Sequence, residues 1–272
     1  MHMEKAREKK MSESYGRVTE LIVGGQTLKT PDLEIRFDVP FDDDPDPNEA
    51  RIEIYNLSDN TINNIAHHSK VVLNAGYKGD VGTILSGYIS FYETRWEGPD
   101  KITTFTVLDS EPLDSRTIPS ISYAKQTKAS TVIRDLLKRG NLSAVALSLV
   151  KDVVYTEGMT VEGSVVDAIK NVAADCQTSC YMLKGQLYIR PLTQGDKINF
   201  VLSPKTGLIG SPTFFQDDSS AGYQAKCLLN HRLTTGSLIT IESRVVEASL
   251  RVRRGRHSSS GSDFTTEIEA VF

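Results

Sequence analysis

The side chains with the most chemical reach fall in two runs. Asp42, Asp43, Asp44 and Asp46 crowd one short stretch, and Arg244, Arg251, Arg253, Arg254 and Arg256 crowd another near the opposite end. Clustered carboxylates can hold a hard cation such as calcium, but these lack the EF-hand spacing and its closing glutamate. A solvated, charge-rich loop is the better reading. The arginine run contains no aromatic residue, whereas single-stranded nucleic acid is gripped by basic side chains interleaved with stacking rings. Residues two apart on a strand share a face, so Arg251 and Arg253 would project together. Each run is either a solvated face or one half of a pair of complementary subunit faces. Arg251, Arg253, Arg254 and Arg256, with Asp42, Asp43 and Asp44, are the candidate intersubunit surface.

The other reactive groups carry less. His67 and His68 are adjacent, point in different directions on a helix and make a poor chelate. Cys176, Cys180 and Cys227 are odd in number and lack zinc-knuckle spacing, so they read as buried thiols acting as small hydrophobes. There is no nucleophile elbow, no H-E-x-x-H, no P-loop and no dinucleotide fingerprint. Nothing singles out the facing carboxylate pair that a glycosidase needs. The lone tryptophan, Trp96, argues against a sugar platform. No catalytic residue, metal ligand or cofactor is expected, and the chain reads as non-enzymatic.

Composition agrees. The 272 residues are 39% hydrophobic and 24% charged, an ordinary balance for a folded chain. A formal net charge of −4 disfavours wrapping duplex DNA, a task for basic surfaces. No apolar run approaches the roughly 20 residues that span a bilayer. Residues 1–10 are charged and lack the apolar core of a secretory signal, so synthesis in the cytoplasm without signal-peptide export is expected.

The elements that must position these side chains are mostly strands. A polar leader covers residues 1–14. A β-rich block follows over 15–112, with period-2 alternation through Leu33, Ile35, Phe37 and Val39, through residues 51–55, and through Val71, Leu73, Ala75 and Tyr77. Residues 41–48 must be a loop, since two prolines and four aspartates cannot continue a strand. Ser58 caps a short helix over 59–66, Gly24-Gly25 is a tight hairpin turn, 78–82 is a turn, and strands follow over 83–91 and 102–108. The pattern changes over 113–192, an α+β insert. Ala129, Val132, Ile133, Leu136 and Leu137 recur at helical spacing, with Gly140 at the C′ position. Ser164 and Asp167 start a second helix, and residues 180–190 turn at Lys184-Gly185 as a hairpin. Residues 193–272 are β again, with a loop over 257–263 and a closing strand over 265–272.

Residues 207–272 resemble the carboxy-terminal part of phage and prophage baseplate hub proteins, which are related to the base of the type VI secretion spike. Gly207, Gly210 and Pro212 match a Gly-x-x-Gly-x-Pro start. Gly222, Leu228, Leu229, Asn230 and Gly236 match a stretch ending Leu-Leu-Asn with a following glycine, and His257 and Asp263 match a closing turn. All ten read as architectural turn or packing positions. The sequence departs at His231, where relatives commonly have proline, and in the serine-rich run after His257. The insert, with VVYTEGMT, SVVDAIKNVA and G-x-L-x-I-R-P, is similar to the insert of such hubs, and IEIYNLS and LSGYI match in pattern.

The resemblance implies two tail-tube-like antiparallel β-barrels flanking the α+β insert. Three copies would make a ring of six similar barrels, adapting a sixfold tail tube to a threefold central spike and leaving a lumen for DNA. The implied partners are two further copies of the chain, a tube or distal tube protein, the spike, and other baseplate proteins including the tape measure. The implied location is the virion baseplate, assembled in the host cytoplasm. Two other readings compete. A peripheral receptor-binding β module would show a groove of clustered aromatics, and a tail-associated cell-wall hydrolase would need a spare catalytic domain.

Overall fold

The computed structural model describes residues 15–44, 46–65, 69–109, 117–184, 186–191, 194–217 and 220–272. The leader, His67 and His68 lie outside the described residues. The first block holds β1 (Arg17–Val23), β2 (Gln26–Lys29), β3 (Ile35–Phe41), β4 (Glu49–Tyr55), the short helix α1 (Asp59–Asn63), β5 (Lys70–Tyr77), β6 (Asp80–Glu97) and β7 (Asp100–Leu108). The expected alternation is realised. In β3, Ile35, Phe37, Val39 and Phe41 are buried while the residues between them are half-buried. Leu21, Ile52, Ile54, Leu73, Ile89 and Phe105 fill the core, each burial contributing about 1.5–3 kcal/mol against exposure. Gly24 and Gly25 take φ of 56° and 75°, the left-handed pair of a tight hairpin between β1 and β2.

The insert holds β8 (Thr117–Tyr123), β9 (Thr127–Lys128), α2 (Ala129–Arg139), β10 (Ala144–Leu147), β11 (Val154–Tyr155), β12 (Met159–Ser164), α3 (Val165–Asp175), β13 (Ser179–Leu183) and β14 (Gln186–Arg190). Among the described residues its strands pair only with one another, as β8–β12, β9–β11 and β10–β14–β13. Helix α2 buries the five residues that the spacing picks out. The Ser164 hydroxyl accepts from the Asp167 amide at 3.3 Å and caps α3. All three thiols are buried, and burial pushes those of Cys180 and Cys227 up to about 12.

The last block holds β15 (Asp196–Leu202), a 3-10 turn at Pro204–Thr206, β16 (Leu208–Gln216), β17 (Ala221–Leu228), β18 (Ser237–Glu242), β19 (Glu247–Ser260) and β20 (Asp263–Val271). The two β-blocks are one hydrogen-bonded sheet of 13 strands, β16-β17-β20-β19-β3-β4-β7-β6-β5-β1-β2, with β18 also on β19 and β15 on β18. The joint is antiparallel pairing of β19 with β3, from Gly255 opposite Phe41 to Ser259 opposite Phe37. The cores interlock across it. Leu229 and Phe264 enter the first core, and Phe41 enters the last.

Four local expectations change. Helix α1 ends at Asn63, and Asn64 caps it. The tight turn after Tyr77 is only Lys78-Gly79, and β6 then runs 18 residues from Asp80. The serine run is no loop. β19 continues through Ser260, because β20 on one side and β3 on the other take up its backbone groups. At the end of α2, Gly140 stays right-handed (φ −76°) and Asn141 takes the left-handed turn (φ 49°). Gly140 is needed for space, since a Cβ there would lie 2.8 Å from a Val165 methyl.

Candidate assembly surface

The two charge runs meet within one chain. Arg251, only 4% exposed, donates from Nη2 to Asp43 Oδ2 at 3.1 Å. Arg253 lies 3.6 Å from Asp43 and 3.2 Å from Asp217. Arg254 donates to Glu269 at 2.8 Å, and Arg256 lies 3.3 Å from Asp38. A bulge at Arg253 breaks the register between Val252 and Arg254, so this arginine does not sit squarely opposite one partner. Asp42 and Asp44 do not join these pairs. Asp42 accepts from the Asp44 amide and from Asn48, and Asp44 turns to Lys170 at 3.2 Å. The two runs thus meet at Asp43 alone, through Arg251 and Arg253, and Arg254 and Arg256 keep more than half of their side chains in solvent.

These pairs stand on the polar face of the sheet. Arg254 opposes Glu269, Arg256 opposes Glu267, and Lys226 opposes Glu267 from the other side; directly opposed side chains share a face. Lys226 closes on Glu267 at 2.9 Å. An open groove of about 670 Å³ runs over this face, with Ser211, Thr213 and Gln224 at its β16 side and Asp42 at its β3 side. Further along, Arg95 reaches Glu53 at 3.2 Å. Trp96, 71% exposed, stands near the tip of the β6–β7 hairpin. Among the described residues, no group of three or more His, Cys, Asp or Glu side chains converges as for a metal ion.

The ten motif residues divide. Gly207 (φ 106°) closes the 3-10 turn, and Gly210 (φ 70°) bends β16 at a register shift, with Pro212 buried behind it. Asn230 makes the turn after β17. Its Oδ1 accepts from the Arg232 amide, its own amide donates to Thr266 Oγ1, and Leu228 donates to the Gly207 carbonyl, each near 3 Å. Gly236 (φ 83°) leaves room for the Arg190 guanidinium and the Tyr181 hydroxyl. Asp263 opens β20 after the Gly261-Ser262 turn. Gly222 and His257 are not turn residues. Gly222 lies inside β17, where a Cβ would fall on the Ala270 carbonyl oxygen. His257 lies inside β19, 1% exposed, against the Phe41 ring at 4.9 Å and with Nδ1 2.9 Å from Thr266 Oγ1. Burial lowers its pKa to about 3, so the imidazole is neutral.

Sequence reading missed several long-range polar anchors. Asp109 accepts from the Asn48 amide at 2.9 Å and from its side chain at 3.2 Å, and burial raises its carboxyl to about 6. Arg232 grips Asp80 through bonds of 2.7 and 2.5 Å and holds that carboxylate below its ordinary range. Arg190 binds Asp196 through two bonds of 2.9 Å. None has a local signature, since each is an isolated charged residue until the fold supplies its partner.

No family model and no curated protein sequence matches this chain. Solved structures do. The tail protein from Neisseria meningitidis MC58 superposes with a TM-score of 0.67 at 11% identity, over 95% of this chain and 97% of that one. The 43 kDa tail protein of prophage MuSo2 from Shewanella oneidensis gives 0.66 at 8%, over 94% and 98%. The chain has the fold of tail proteins. The tail-protein fold extends to the Escherichia coli c3393 protein, a component of the type VI secretion system with structural similarity to T4 bacteriophage tail proteins gp27 and gp5. That match has a TM-score of 0.63 at 9% identity, over 92% of this chain and 76% of that one.

Proposed function

We propose that this chain is a structural hub of a phage tail baseplate or a tail-like particle, and that it works as an assembly part without catalysing a reaction. The observation that carries this reading is likeness to a tail protein over nearly the full length of both chains. Short shared motifs or a single common domain would not give such coverage. In this reading three copies form a ring between a sixfold tube and a threefold spike, and DNA passes through its lumen. The domain limits are 15–112, 113–192 and 193–272. The polar face carrying Arg254, Arg256, Glu267 and Glu269 supports a role as a water-facing wall. Its charges are paired in place, so it would offer a polyanion little net attraction. Exposed edges such as β16 are ready for pairing with a neighbour.

The test is the mass of the purified chain in solution by light scattering, alone and with its spike and tube proteins. A trimer, or a monomer that trimerises on adding the spike, is expected. A monomer that ignores both proteins would sink the hub reading and favour a peripheral baseplate module.

A further inference from the structure

The insert and the β-blocks are separate bodies by packing. The insert core draws only on its own residues, Ile118 through Ile189, and neither core of the large sheet includes any of them. Among the described residues, no insert strand pairs with a strand of that sheet, and no insert helix or strand runs along one. Polar contacts pin the two bodies together at three points. Lys170 on α3 lies 3.2 Å from Asp44 and 4.0 Å from Asp46. Lys184, at the left-handed corner of the β13–β14 hairpin (φ 51°), donates to the Thr83 carbonyl on β6 at 2.6 Å. Arg190, at the far end of that hairpin, holds Asp196 of β15 bidentately and gives a third bond to the Tyr181 hydroxyl at 2.7 Å. Cys180 and Met182 point into the insert core, so alternation along β13 turns Tyr181 and Leu183 away from it. Both are buried, and they add an apolar patch beside the polar contacts.

We propose that this seat is an electrostatic latch. The insert is a separately cored arm that leaves the β-blocks as a folded unit when the charges of Lys170, Lys184 and Arg190 are screened or mismatched. The chain then has a seated and a released form. Three cations on one body face acceptors on both blocks, so the seat is defined at three points. The exposed Lys170 pair is weak, and the bidentate Arg190 pair is the stronger. Units of one chain that meet through such contacts, each with its own core, can move relative to one another. The latch does not depend on the hub reading, since it concerns one isolated chain.

The test places spin labels by Lys138→Cys on α2 and Glu93→Cys on β6, both exposed, in the full chain, whose native thiols are buried. One distance is expected at ~0.1 M sodium chloride. A second, longer one should grow at ~1 M, where the screening length falls to about 3 Å. Lys170→Glu with Asp196→Asn should raise the released population on the order of tenfold at low salt. Adding Asp44→Lys to Lys170→Glu should restore the seated distance. Helical circular dichroism should stay constant throughout. A distance indifferent to salt and to charge reversal would overturn the latch. So would loss of helical signal in step with the distance change, because the arm would then be unfolding instead of swinging.

Discussion

His257 sits in a strand between two others, with a phenyl ring on one side and a threonine hydroxyl on its Nδ1. A neutral imidazole suits that site and an imidazolium does not. Its folded pKa of about 3 lies below the ordinary 6.5. Its stabilising contribution is therefore complete above pH 6.5 and is lost as pH falls toward 3, with a slope approaching about 1.4 kcal/mol per pH unit. Asp109 works the other way. Its folded pKa of about 6 lies above the ordinary 3.8, so acidification from 6 toward 4 relieves a penalty and adds stability. Over pH 4–6 the two slopes oppose each other. Urea midpoints of the native chain should be nearly level there, whereas His257→Gln should grow more stable as pH falls. A variant that kept the native profile would mean that His257 is not held neutral. Gly255 makes a second prediction. A Cβ there would meet the Phe41 ring at 2.6 Å, at the joint of the two β-blocks, so Gly255→Ala should cost about 1–3 kcal/mol by overpacking, read as a lower midpoint.

At the scale of elements, helices and short strands follow local rules. α3 begins where a serine hydroxyl can take an orphan amide, and Ser164→Ala should cost about 1 kcal/mol. A midpoint shift below about 0.3 kcal/mol would show that packing alone fixes that end of the helix. β19 follows a longer-range rule. Its serines carry weak strand preference, and the hairpin to β20 turns only at Gly261-Ser262. Pairing on both sides settles the conformation of those serines. β6 is similar. Strands β5 and β7 extend it in both directions from the stretch whose alternation is visible.

At the scale of the molecule, the thiols report whether the parts open. Cys176 and Cys180 lie in the insert core and Cys227 in the last β-core. Burial raises all three pKa values, and the thiolate is the reactive form. Native protein should resist a thiol reagent at pH 8, with labelling that follows denaturant unfolding. Fast labelling of any cysteine in native buffer would contradict the packing around it. The insert pair and Cys227 sit in different cores, so unequal labelling in mild denaturant would show which core opens first.

The sequence by itself determined the elements that follow local rules and the class of fold. Alternation in β3, β4 and β5, the apolar stripes of α2 and α3, the glycine pair after β1 and the hairpin corner at Lys184 are all decided by neighbours a few residues away. That is the range over which periodicity and turn chemistry act. The tertiary structure alone decided that the two β-blocks become one sheet through β3 and β19, and that Arg251 and Arg253 of the arginine run meet Asp43 of the aspartate run. Arg251 and Asp43 stand 208 residues apart. Which strand edges meet depends on the summed packing of three cores, and no local pattern carries that sum. The charge runs could therefore be recognised as complementary in the sequence, while only the folded chain showed that they touch at Asp43 and find their other partners elsewhere.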